Sequence, residues 1–128
     1  MFNFMEIYVT HSRSFDYKNH LYFPIRRSHI NQEHKIILPH EESDEPFNSK
    51  SIITGGSLSL LVAEVSFKST AQGVELGWAD ISKVPIALFY RPDSNPSNAL
   101  RKVSSLFVPY SNDRELIEGM ESVIRQIS

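Results

Sequence analysis

Two glutamates and several hydroxyls fall close together in Ala63–Ala79 (AEVSFKSTAQGVELGWA). The apolar run Leu58–Val65 reads as a buried strand and carries Glu64 near its end. Ser66, Ser69 and Thr70 follow, and then Gly73 and Glu75 in a short helical pattern. A strand-to-helix turn needs a cap and a glycine, but it has no need of Glu75. The backbone N–H groups and hydroxyls of Ser66–Gln72 lie where a helix begins, a place that receives anions such as phosphate. Glu75 lies just inside that helix, where the positive end of the helix dipole favours a negative charge. A carboxylate so placed is suited to attack or stabilise a cationic centre, such as the oxocarbenium carbon of a sugar. Gly73 removes a side chain before it, and Gly77 lets the helix sit close to a sheet.

The elements that must position these groups alternate. Glu6–Thr10 (EIYVT) reads as a first strand and Lys35–Leu38 as a second. Ser57–Ser66 is apolar nearly throughout, as in strands buried on both faces of a parallel sheet. Pro85–Tyr90 (PIALFY) and Leu106–Pro109 read as two more strands. Helical patterns run over Tyr17–Ile30, weakened by Pro24, then briefly over Ser49–Gly55, ended by Gly55-Gly56. Others cover Thr70–Ser82, Ala99–Ser105 and Asp113–Ile127, the last capped by Asn112 or Asp113. In Thr70–Ser82 the residues Val74, Trp78 and Ile81 share one face, which predicts packing of Trp78 on the sheet. Leu116, Met120, Val123 and Ile127 form the stripe of the last helix.

Strands alternating with helices predict an α/β fold. The expected form is a doubly wound, mostly parallel five-stranded sheet with flanking helices, flavodoxin- or Rossmann-like, over 1–128 as a single domain. Ligands in such sheets bind at the carboxyl ends of the strands. The loops 10–17, 39–48 and 66–75 then share one edge. Tyr8 is expected to line the site there. His11, Ser12, Arg13 and Asp16 are further ligand-contact candidates, beside Glu64, Ser66, Ser69 and Gly73. Arg13 would hold a phosphate better than His11, because its planar fork makes two bonds. Glu64 also reads as a buried anchor accepting backbone N–H bonds, and Ser69 also as a helix cap.

Composition bounds the partners. With 128 residues, 41% of them hydrophobic, the chain can build one real core but not two. A net charge of -2 sets up no basic field for a nucleic-acid polymer, whereas a small anion can be held locally. The absence of cysteine removes disulfides and thiolate metal sites. The five histidines lack metal-binding spacing, so neither a metal nor another cofactor is expected. MFNFMEIYV has no basic n-region or long apolar core, and no run is long enough for a bilayer. A cytoplasmic protein without membrane contact is expected.

Ala-Glu-Val-Ser at 63–66, Ser69, and Gly-Val-Glu-Leu-Gly at 73–77 followed by Ala79 resemble the signature of the nucleoside 2-deoxyribosyltransferase superfamily. In local wording they are closest to its 2'-deoxynucleoside 5'-monophosphate N-glycosidases. The likeness is gap-free over Ala63–Gly77. It extends more weakly to Ile7-Tyr8-Val9, His11-Ser12-Arg13 and Pro85–Arg91. The resemblance implies that Glu75 is a nucleophile on the anomeric carbon and that Ser69 meets the 5' end of the sugar or its phosphate. It also implies a homodimer or higher oligomer, with a neighbouring chain completing the site.

The chain departs from that family in three places. No acid occurs in Pro46–Leu58, where many members carry an aspartate; Ser51 falls nearest by spacing. Ser59 replaces an aspartate early in the central strand, and loop 11–17 lacks the family's glycines. Asp16, Glu41, Glu42 and Asp44 are the acids whose loops reach the same edge. The expected activity is hydrolysis or transfer at the N-glycosidic bond of a (deoxy)nucleoside or its 5'-monophosphate, with retention through Glu75. The alternatives are a non-catalytic nucleotide-binding module on the same fold and a glycohydrolase of another N-riboside.

Overall fold

A computed structural model of the chain describes residues 4–43 and 47–128. Five strands form one sheet: β1 (Glu6–His11), β2 (Lys35–Ile37), β3 (Leu60–Glu64), β4 (Ile86–Tyr90) and β5 (Phe107–Pro109). Their order is β2-β1-β3-β4-β5 and every pairing is parallel. The order reverses between β1 and β3, which opens a crevice at their carboxyl ends. There Thr10 stands beside Ala63 and His11 beside Glu64.

Helices cover both faces, as the apolar strands demand. Ile7, Val9, Leu60, Val62 and Phe89 pack with α1 (Phe23–Arg26), α2 (His29–Glu33) and α5 (Asp113–Ile127). Tyr8, Leu61, Ala63, Ile86 and Leu88 pack with α3 (Ser49–Thr54) and α4 (Thr70–Ile81). The period-2 alternation of β1 thus sends Tyr8 and Thr10 toward α4, and His11 the other way. The Asn112 side chain caps α5, accepting from Glu115 N at 2.9 Å, and Leu116, Met120 and Val123 are buried as the stripe requires. Among the described residues no helix is long and apolar enough to cross a membrane.

Two expectations about helices need correction. Tyr17–Ile30 is not one helix. A π-turn over Lys18–Tyr22 closes with Phe23 N–H on the Lys18 carbonyl, α1 begins with Pro24 in its first turn, and α2 starts afresh after Ser28. Proline lacks an N–H and is tolerated only where none is needed, so the helix is rebuilt around it. In α4 the buried stripe is Gln72, Leu76 and Ala79. Val74 and Ile81 are 48% and 85% exposed, and Trp78 is half-buried with Lys50 Nζ 5.9 Å from its ring centre. Gly77 faces open space, as does Gly73, so neither glycine is required by a close approach.

Candidate active site

The first turn of α4 is built by Ser69, whose hydroxyl accepts from Gln72 N at 3.2 Å and caps the helix. One turn on, Glu75 reaches across to β1. Its Oε1 accepts from the Thr10 hydroxyl at 2.6 Å and its Oε2 from the Tyr8 hydroxyl at 3.1 Å. Burial pushes the Tyr8 hydroxyl far above the ordinary tyrosine pKa, and the Glu75 charge adds to this. Tyr8 therefore remains a donor. Gln72, nearly fully buried, donates from Nε2 to the carbonyls of Thr10 (3.2 Å) and Glu64 (2.8 Å). It ties α4 to the carboxyl ends of both strands that border the crevice.

Glu64 belongs to the scaffold, and Ser66, partly buried, is bonded to it. Glu64 is wholly buried. Its Oε1 accepts from Ser66 N at 2.7 Å, and its Oε2 from the Ser66 hydroxyl at 2.9 Å and from the Tyr110 hydroxyl. Ser66 Oγ also accepts from Arg91 N at 2.8 Å. A buried carboxylate persists when its lone pairs are used, and these bonds clamp the turns after β3, β4 and β5 together.

His11 is also inward-facing. Its Nδ1 donates to the Ser12 carbonyl at 2.8 Å, so Nε2 accepts from the Tyr22 hydroxyl at 2.6 Å. Tyr22 in turn accepts from His40 N at 3.1 Å. Burial lowers the His11 pKa to about 4, which keeps the ring neutral. Ser12 is buried and bonded to Ser14, whereas Arg13 is exposed on the loop. Asp16 is exposed and accepts from the Asn19 side chain at 2.9 Å, which anchors the start of the π-turn. Phe15 stacks on Phe67 at 4.9 Å, with Arg91 over both rings, joining the loops after β1 and β3.

The structure thus brings Tyr8 and Glu75 together at the crevice, with Ser69 at the head of the same helix. It places Gly73 on an exposed turn of α4, beside Phe67, Lys68 and Ser69 along a cleft of about 330 Å³. Of the acids from the other loops, Glu41 forms a bidentate pair with Arg26 at 2.8 and 2.9 Å, Glu42 is exposed, and Asp44 lies outside the described residues. Thr10, Gln72 and Tyr110 are supporting groups that the sequence does not single out. Thr10 had a signal: it is two residues beyond Tyr8 and must share its face. Among the described residues no group of three or more His, Asp or Glu could hold a metal ion.

No protein-family model matches the chain, and no curated protein matches it. Its fold is similar to that of the CMP N-glycosidase BcmB of Clostridium botulinum. The TM-score is 0.64 and the identity 16%, over 91% of this chain and 98% of that one. At that identity the likeness is one of fold; in this chain α4 brings Glu75 to the carboxyl half of β1.

Proposed function

We propose that the protein hydrolyses or transfers the N-glycosidic bond of a (deoxy)nucleoside or its 5'-monophosphate, with Glu75 as the nucleophile. One observation carries this reading: the Glu75 carboxylate, half-exposed, is held by two hydroxyls of β1 at the switch point of the sheet. Glu75 attacks C1' of the sugar. The C1'–N bond breaks with its electron pair on the base, which takes a proton from solvent water. Water then displaces Glu75 from C1', or an acceptor base does so, and the configuration at C1' is retained. Ser69 and the start of α4 offer N–H and hydroxyl groups to a 5'-phosphate, and Arg13 offers charge from the loop. The fold shared with a CMP N-glycosidase supports a nucleotide as substrate.

A second reading is a nucleotide-binding module without turnover. One observation favours it: Glu64 is sealed and Glu41 is held by Arg26, so neither is placed to protonate a leaving base. The oligomer also belongs to the proposal. Val74 and Ile81 leave apolar surface on the outer side of α4, and we assign a second copy of the chain to cover it. Light scattering should give about twice the 14.7 kDa of one chain.

The reading is tested by chromatography of free base released from ribo- and 2'-deoxynucleosides and their 5'-monophosphates. Methanol in the reaction traps the sugar, and a methyl glycoside of retained configuration is expected. An inverted product removes the covalent step. No release from any substrate, with monophosphates still raising the melting temperature, leaves the binding module.

A further inference from the structure

Glu75 is gripped unequally by its two hydroxyl partners. The Thr10 contact, at 2.6 Å, lies in the range of strong O–H···O⁻ bonds; the Tyr8 contact, at 3.1 Å, lies beyond it. Thr10 is buried, and its β-branched side chain has few rotamers, so its hydroxyl is fixed in direction. The same residue receives the Gln72 amide on its carbonyl, and that amide also binds the Glu64 carbonyl. Gln72 precedes Glu75 by three positions, so the two leave α4 on neighbouring turns.

We infer that Thr10 and Gln72 are the positioning residues of Glu75. Gln72 fixes where α4 stands along β1 and β3, and Thr10 fixes the carboxylate on that helix. The inference rests on Glu75 being the nucleophile. Neither oxygen is used up, because a carboxylate has roughly four lone-pair sites and each oxygen here accepts one bond from β1. The pair therefore orients the attacking group and leaves it free to react. A nucleophile that rotates off its line loses rate without losing substrate affinity.

The test compares Thr10→Val, Thr10→Ser, Gln72→Met and the Thr10→Val/Gln72→Met double variant, by base release, melting temperature and crystal structure. Thr10→Val keeps the shape and removes the hydroxyl. It should lower kcat about a hundredfold with KM nearly unchanged. Its melting temperature should stay within roughly 3 °C of the parent. Thr10→Ser should restore most of kcat. Gln72→Met should also lower kcat, and the double variant should lose less than the product of the two single losses. A Thr10→Val enzyme with parental kcat overturns the inference, as does a loss of kcat that tracks melting temperature and is not rescued by serine. The crystal structures read the same point without turnover. The Glu75 carboxylate should leave its place in Thr10→Val and regain it in Thr10→Ser, and an unmoved carboxylate overturns the inference. If the parent releases no base yet the carboxylate moves, the positioning stands and only the nucleophile reading falls.

Discussion

The Tyr8 hydroxyl and the Glu75 carboxylate meet 3.1 Å apart, joining the first strand to the helix that follows the third. Tyr8 has no exposed surface, and burial together with the Glu75 charge keeps its proton in place. Tyr8 can therefore steady the carboxylate but cannot serve as a base.

Tyr8→Phe should lower kcat by about tenfold, a smaller loss than Thr10→Val, because the longer bond is the weaker one. Steady-state base release measures this. An equal loss would abolish the ranking of the two hydroxyls, and a larger one would reverse it.

The second carboxylate of the signature should affect stability. Tyr110→Phe leaves Glu64 Oε2 with the Ser66 hydroxyl alone, inside a wholly buried site. The expected cost is about 1–3 kcal/mol in urea unfolding. A variant as stable as the parent would show that the clamp between β3 and β5 does not hold the turns. Burial and the adjoining Glu64 charge raise the Tyr110 pKa, so the bond is present throughout the neutral range.

His11 makes the fold sensitive to acid. Its pKa falls from 6.5 to about 4 on folding, chiefly through burial. The unfolded chain then binds more protons than the folded one between those values, so stability declines as pH drops through that window. The full effect is on the order of 3 kcal/mol. Urea midpoints at pH 7.5 and pH 5 should differ more for the parent than for His11→Gln. Equal differences would remove His11 as the source.

Much of the architecture was legible because the strands are short apolar runs between turn residues. β1, β3, β4 and α5 emerge within a few positions of where periodicity puts them. The Tyr17–Ile30 stretch was less readable, since a π-turn ahead of Pro24 leaves no periodic trace. The phase of α4 is obscured for a different reason. Val74, Trp78 and Ile81 have helical spacing and are apolar, but Gln72, Leu76 and Ala79 have similar spacing and are buried. Gln72 hides that stripe because its amide is satisfied by two carbonyls, which a sequence does not display. Glu75 stood out because a turn has no need of it. Thr10 did not, because a threonine in a strand is ordinary and its partner lies 65 positions away. Glu64 and Ser66 lie near the edge in sequence, yet they bond to each other and to the turns beyond.

The central claim is that Glu75 reacts with the sugar. The most direct measurement is base release by the parent and by Glu75→Ala, side by side, on the substrate that the panel identifies. Release should fall on the order of a thousandfold or more, measured well below the variant's own melting transition, since the change also strips the buried Tyr8 and Thr10 hydroxyls of their Glu75 partner. Release by Glu75→Ala at the parental rate would contradict the account.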